Sequence, residues 1–307
     1  MSNFSSESTA TEVATALAAR IAGKVVLITG CAPNSLGEAA ALTIAPHSPA
    51  LLILSGRNHS LVEETEKTIL AKASSVKTRL LTFDLANLKS VRQAVTEVEN
   101  YPEQIDVLFN NAGIMATPFE KTVDGFESQF AVNHIGPFLF TMLLVKKFAR
   151  GGRILNISSG GYAFGGVRYD DPNFENQSYD KWLSYAQSKT ANILFSEAIA
   201  DRLGSKGIFS FSLTPGGGVY TNLGRHLTPE DLEMLSSVTI ITKEQAVATY
   251  IVAGFDPELE THNGAFMEFC KPVPTKEECA WARGKENADK LWALSEKMVG
   301  EKFSFDA

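Results

Sequence analysis

Tyr185-Ala186-Gln187-Ser188-Lys189 places a phenol and an ammonium four residues apart in a stretch that reads as helix. Residues at i and i+4 share a helix face. An ammonium beside a phenol favours phenolate and lowers its pKa from about 10 towards neutrality, as a general acid/base for carbonyl reduction requires. Ser158 and Ser159 follow an apolar run ending at Ile157, where a hydroxyl can donate to a substrate oxygen. Asn133, in a long predicted helix, can hold a water between Lys189 and solvent. Each has a plainer reading. Tyr–Lys pairs at this spacing arise by chance on surface helices, serines cap helices, and an asparagine is an ordinary helix-surface amide.

A second set of residues is suited to a dinucleotide. Thr29-Gly30-Cys31-Ala32-Pro33-Asn34-Ser35-Leu36-Gly37 follows an apolar run and opens a helix. Free backbone N–H groups and the positive helix end make such a turn a seat for pyrophosphate, and glycines let it approach. A plain strand-to-helix turn is the alternative. Leu54-Ser55-Gly56-Arg57-Asn58 ends the next strand without the carboxylate that would accept from ribose hydroxyls. Arg57 is suited to a 2′-phosphate, which points to NADP(H) over NAD(H). A solvated Arg is the plainer reading, although a cation at a helix start is unfavourable without an anion nearby. Asp84, with Leu85 after it, is placed to accept from an adenine amino group or to cap a helix. The small residues of Asn110-Asn111-Ala112-Gly113 would let adenosine and ribose pack on backbone.

These residues must be positioned by alternating elements. Apolar runs predict strands at Val25–Ile28, Leu51–Leu54, Thr78–Phe83, Asp106–Asn110, Arg153–Ile157, Phe209–Leu213 and Ala265–Phe269. Helical stretches fall between them: Ser35–Ala45, Leu61–Ala73, Leu88–Val98, Asp124–Phe148 and Tyr179–Leu203, then Pro229–Leu235 and Lys243–Val252, with Asn287–Met298 closing the chain. Continuous apolar strands alternating with helices predict an α/β fold, a doubly wound parallel sheet with helices on both faces. Ligands in such sheets bind beyond the carboxyl ends of the strands, which is where all the residues above fall. Residues 1–20 read as an amphipathic or frayed extension and 21–307 as one domain.

Composition narrows the function classes. The 307 residues carry 28 Lys+Arg against 35 Asp+Glu, a net charge of −7. This balance argues against a nucleic-acid partner, which needs clustered cations. No apolar run approaches the roughly 20 residues of a membrane span. Cys31, Cys270 and Cys279 form neither a disulfide framework nor a CxxC pair, and reduced thiols fit a cytoplasmic protein. His47, His59, His134, His226 and His262 lack metal-ligand spacing such as HExxH. The start, Met1–Thr11, lacks the pattern of a secretory signal, and the final Ser304–Ala307 is no peroxisomal or retrieval signal.

Taken together, Thr29-Gly30 with Gly37, Asp84, Asn110–Gly113, Asn133, Ser159, Tyr185, Lys189 and Pro215-Gly216 resemble the short-chain dehydrogenase/reductase family, in its order over roughly residues 24–222. Tyr179–Tyr185, Ser188–Asn192, Ser212–Arg225 and the Trp292 helix resemble its retinol dehydrogenase and WW-domain oxidoreductase branch, fungal type. The resemblance implies a seven-stranded Rossmann sheet, a nicotinamide cofactor and an Asn133–Ser159–Tyr185–Lys189 tetrad, Ser159 being the serine aligned with the catalytic position. It extends the cofactor contacts to Pro215, Gly216 and Thr221. It implies that Lys189 also holds the nicotinamide ribose. Many members are homo-oligomers, whereas those with long tails can be monomers. Two departures stand out: the glycine loop is one residue longer than usual, with Ser35 where a second glycine is expected, and Pro215–Thr221 is also one residue longer.

The expected reaction is interconversion of a carbonyl and an alcohol on a lipophilic small molecule, with Tyr185 as acid/base. Analogy with fungal stand-alone reductases adds a secondary metabolite as a candidate. Specificity is assigned to the insert Gly160–Lys181, a lid at about 215–242 and a tail at about 272–307, whose aromatics serve equally well as local core. Two other readings keep the fold: a cofactor-bound cyclase or isomerase, and a cofactor-sensing binding protein.

Overall fold

The computed structural model describes residues 3–305, so Met1–Ser2 and Asp306–Ala307, the outer ends of the two terminal readings, lie outside the described residues. Strands β1 (Val25–Thr29), β2 (Leu51–Gly56), β3 (Thr78–Thr82), β4 (Ile105–Asn110), β5 (Phe148–Ile157), β6 (Phe209–Leu213), β7 (Phe266–Glu268) and β8 (Lys271–Pro272) form one sheet. Its order is β3-β2-β1-β4-β5-β6-β7-β8. All pairings are parallel except β7 with β8. The order reverses between β1 and β4, and that switch point opens a crevice at the strands' carboxyl ends.

Alternation along the strands builds two cores. Leu27, Leu108 and Ile154 face α5 (Leu88–Glu99), α7 (Gly136–Leu143), α8 (Lys181–Leu203) and α11 (Lys285–Val299). Val26, Ile28 and Phe109 face α3 (Leu36–Ile44), α4 (His59–Lys72) and α10 (Lys243–Phe255). Both faces are covered, which is why the strand sequences are continuously apolar. The N-terminal stretch forms α1 (Ala10–Ala16), started by a Thr9/Glu12 capping box, and a single turn, α2 (Ala18–Ile21). Ala10, Val13 and Ala14 are buried as α1 packs on α10 and α3. Among the described residues no helix is long and apolar enough to cross a membrane.

Two expectations need correction. The sheet has eight strands, not seven. After β7, Phe269 and Cys270 both take positive φ (50° and 65°) and turn the chain back as β8. Two left-handed residues make a tight hairpin of the type that favours Asn-Gly, so Phe-Cys carries no sequence signal for it. The long helix expected over Asp124–Phe148 is broken. It starts as α6 (Ser128–Phe130), passes through a π turn (Ala131–Ile135), continues as α7 and ends before β5 begins at Phe148. Pro137 explains part of the irregularity. It has no N–H, so the carbonyl of Asn133 loses its ordinary i+4 donor.

Candidate active site

The ends of β1 and β4 are tied by one hydroxyl. Thr29 Oγ1 donates to the Phe109 carbonyl (3.1 Å) and accepts from Asn111 and Ala112 N–H (3.0 Å each). Asn111 Nδ2 donates to the Thr29 carbonyl at 2.7 Å. Gly30 (φ +78°) sits so close to the β4 loop that a Cβ would lie 2.8 Å from Ala112 Cα, and one on Gly37 would lie 2.5 Å from the Gly30 oxygen. Side chains at either position would push the two loops apart.

The longer loop keeps its donors. Asn34 absorbs the extra residue in a left-handed conformation (φ 65°), with its N–H on Glu38 Oε2 (2.6 Å) and its Oδ1 accepting from Lys243. Ser35, at the position of the expected glycine, caps α3: its Oγ accepts from Glu38 N–H (3.0 Å) and donates to the Gly30 carbonyl (2.9 Å). The N–H groups of Leu36 and Gly37 have no acceptor among the described residues. Two open donors at a positive helix end fit a pyrophosphate.

The other expected cofactor contacts line the same crevice or its rim. Arg57 follows β2, exposed and with no carboxylate in ion-pair contact among the described residues. Asp84 Oδ1 accepts from Ala86 N–H (2.9 Å), a local turn bond, and Leu85 beside it is buried. Gly113 lies against Asn133 and Lys189; a Cβ there would be 3.1 Å from Asn133 Oδ1 and 3.5 Å from Lys189 Nζ. After β6, Pro215 leads into Gly216 (φ +91°), packed on the Phe269 ring, and Thr221 Oγ1 accepts from Leu223 N–H at 3.2 Å.

The four expected catalytic residues converge at the ends of β4 and β5. Asp180 caps α8 through Trp182 and Leu183 N–H, and the helix delivers Tyr185 and Lys189, 3% and 4% exposed, beside Ser158-Ser159. Lys189 Nζ lies 5.5 Å from the Tyr185 ring centroid and donates to the Ile157 carbonyl (3.0 Å), which also accepts from Asn192 Nδ2 (2.9 Å). Ser158 Oγ donates to the Lys189 carbonyl (2.8 Å), which makes it a positioning group, while Ser159 Oγ accepts from Gly161 N–H (3.2 Å) and its hydroxyl favours the charged form of the Tyr185 phenol. Asn133 clamps the backbone of Ile114: Oδ1 accepts from its N–H (2.8 Å), and Nδ2 donates to its carbonyl (2.9 Å) and to Ser188 Oγ (2.9 Å).

The electrostatics correct one expectation. Burial pushes the Tyr185 phenol up to about 12, against the smaller downward pull of Ser159, and pulls Lys189 down to about 8. The phenol is thus raised where spacing alone predicts lowering, and desolvation is the cause.

Gly161 and Asp231 escaped sequence reasoning. A Cβ on Gly161 would lie 2.8 Å from Tyr185 Cε1, so the ring needs a glycine there; the Gly160-Gly161 pair after the serines is the signal that could have shown it. Trp182 packs edge-on to Tyr185 with centroids 6.3 Å apart. Its Nε1 donates to Asp231 Oδ1 (2.9 Å), and Asp231 also pairs with Lys181. This ties α9 (Pro229–Met234) to the start of α8. Nothing in the sequence links residues so far apart.

The comparisons agree with this architecture. Residues 24–231 match the short chain dehydrogenase family. Short-chain dehydrogenase/reductase prx1 of Penicillium roqueforti is 37% identical over 81% of this chain and 79% of its own. Human retinol dehydrogenase 14 is 37% identical over 91% of this chain and 87% of its own. Among solved structures, an uncharacterised protein from Mycobacterium paratuberculosis is 29% identical, with a TM-score of 0.73 over 93% of this chain and 96% of that one. With its Rossmann-type sheet and the match over most of its length, the chain belongs to the short-chain dehydrogenase family of oxidoreductases.

Proposed function

We propose that the protein is an NADP(H)-dependent oxidoreductase that interconverts a carbonyl and an alcohol on a lipophilic small molecule. The observation that carries this reading is the convergence of Ser159, Tyr185, Lys189 and Asn133 beside open helix-end donors at the switch point. A bound nicotinamide supplies hydride-transfer chemistry. The cradle for it is Gly30, Asn34, Ser35, Leu36 and Gly37, with Asn111, Ala112 and Gly113 along its side and Arg57 at the 2′-phosphate end. Asp84 and Leu85 would border the adenine, and Pro215, Gly216 and Thr221 the nicotinamide. Two solved structures with the same fold are complexes, one with NADPH (a blue fluorescent protein, 24% identical) and one with NADP (from Burkholderia cenocepacia, 22% identical).

Tyr185 donates its proton to the carbonyl oxygen in reduction and takes it back in oxidation. With the phenol at about 12 the proton-bearing form dominates at neutral pH, the form that donates in reduction. Ser159 fixes the substrate oxygen and stabilises charge that develops on it. Lys189 supplies positive charge beside Tyr185 and holds the nicotinamide ribose. The Asn133 side chain is committed to Ile114 and Ser188, so its backbone carbonyl, short of an i+4 donor, is the group that meets a relay water. Exposed Phe164, its ring 6.3 Å from that of Trp182, and the exposed Leu183 and Tyr220 suit an apolar substrate, a secondary metabolite among the candidates. Three free, buried cysteines suit a cytoplasmic setting.

Tyr185→Phe is expected to lower NADPH-dependent reduction of lipophilic ketones and aldehydes by about 10²–10⁴-fold while NADPH still quenches or enhances protein fluorescence with the wild-type affinity. Turnover retained in that variant would overturn the mechanism.

A further inference from the structure

The cover of the site carries a cation that neither the fold nor the proposed chemistry uses. Arg225 lies in the 3-10 turn Asn222–His226, on the segment expected to be the lid. This turn reaches back to the glycine loop, where Asn222 Nδ2 donates to the Pro33 carbonyl at 3.0 Å. Arg225 Nη1 donates to the Asn222 carbonyl (2.9 Å), which steers the guanidinium. No carboxylate lies within ion-pair distance of Arg225 or Arg57 among the described residues. The nearby Glu38 carboxylate is turned to Asn34 N–H, and Lys243 is held by Asn34 Oδ1. The glycine loop is in turn bonded to the end of β2, where the N–H groups of Gly30 and Cys31 both donate to the Ser55 carbonyl (2.8 and 2.9 Å), so the turn that carries Arg225 and the Arg57 that follows β2 flank the same loop. Desolvation first, and then the charge of Arg57, disfavour the charged form of Arg225.

Two unneutralised guanidinium groups, one on the body and one on the cover, repel each other until an anion lies between them. A phosphate monoester is close to a dianion at neutral pH and accepts forked N–H donors from both sides. We propose that Arg225 joins Arg57 in gripping the 2′-phosphate of the cofactor, so that the phosphate draws the cover onto the site. This rests on the NADP(H) reading and deepens it. It assigns cofactor selectivity partly to the lid, and it makes lid order depend on the phosphate and not on the rest of the nucleotide.

The test is fluorescence titration of the full chain with NADPH and NADH, for wild type, Arg57→Gln, Arg225→Gln and Arg225→Lys. Limited proteolysis of the 220–242 segment is run in parallel with 2′,5′-ADP, 5′-AMP or inorganic phosphate. Arg225→Gln is expected to weaken NADPH by about ten- to a hundredfold and leave NADH unchanged, with Arg225→Lys in between. 2′,5′-ADP should protect the cover of wild type, while 5′-AMP should not, and protection should be lost in Arg225→Gln. Equal weakening of both cofactors, or of neither, would overturn the proposal. Protection by inorganic phosphate at the same concentration would reduce the pair to a general anion site and overturn it too. A wild type that prefers NADH would sink the NADP(H) reading itself. A wild type that prefers NADPH through Arg57 alone would sink only the role of Arg225.

Discussion

The floor of the site and its cover are held by different physics. In the floor, Lys189, Asn192, Ser158 and Asn133 are buried and each bonds a neighbouring backbone group. Beneath them, Asn110 Nδ2 bonds Thr141 Oγ1 and Asn156 Oδ1, and Asn156 Nδ2 bonds Ser196 Oγ, each at 2.9 Å. Buried polar networks tolerate few alternatives, because each broken bond strands a desolvated group. The cover, from Tyr220 to Thr242, instead leaves Tyr220, Leu232 and Ile240 at 79%, 59% and 52% exposure. It is fastened at a few points: the Asp231 latch, the Asn222–Pro33 bond and a short pairing of Gly218 with Ile240. Under the proposed function this difference separates chemistry from recognition: a preorganised floor would hold the reacting groups, and a lightly fastened cover would adjust to substrate and cofactor.

Three experiments bear on this contrast, in order of expected effect. Gly161→Val should push the Tyr185 ring out of place, since even a Cβ there would lie 2.8 Å from Cε1. We expect kcat to fall by about 10²-fold with NADPH affinity intact; an unchanged kcat would show that the floor yields as easily as the cover. Asp231→Asn removes the charge that holds Lys181 and weakens the bond to Trp182. It should cost the cover about 2 kcal/mol of local stability, raise KM more than it lowers kcat, and speed proteolysis within 220–242. If the global melting temperature drops instead, the latch belongs to the core.

The smallest effect concerns His134, next to Asn133. It is fully buried among Phe130, Phe138 and Phe195, and its Nε2 lies 2.7 Å from Ser295 Oγ on α11. Ser295 Oγ donates to the Leu291 carbonyl, so Nε2 carries the proton, and Nδ1 has no partner. Burial holds this imidazole neutral, with its pKa down at about 3. Between that value and its ordinary 6.5 the unfolded chain binds the extra proton, so stability is present in full above 6.5 and is lost as pH falls. The loss should be about 1.4 kcal/mol per pH unit below 6.5. His134→Phe should flatten the fall in melting temperature between pH 6.5 and 5, and a variant as acid-sensitive as wild type would rule His134 out as the source.

How much was legible follows the same division. The strand ends, the glycine turn and the Tyr185–Lys189 spacing are local, so their order and common edge could be read from residue types. Ser35 looked like a loss at the glycine loop, yet it caps α3 and leaves two donors open. The β8 hairpin was invisible because Phe269 and Cys270 are held at positive φ by their surroundings and not by their own preference. Gly161 shows only as one of a glycine pair, and Asp231 and Arg225 carry no local pattern; their roles depend on what lies across the crevice.

By itself the sequence determined the alternating fold, the strand edge at which the candidate residues gather and the pairing of Tyr185 with Lys189 on one helix face. These rest on periodicity, turn chemistry and side-chain type, which act over a few residues. Only the tertiary structure decided the protonation of that pair. Spacing places an ammonium by a phenol, but burial of both raises Tyr185 to about 12 and lowers Lys189 to about 8. The cost of removing charge from water depends on every element that closes over the site, and no single stretch of sequence contains it.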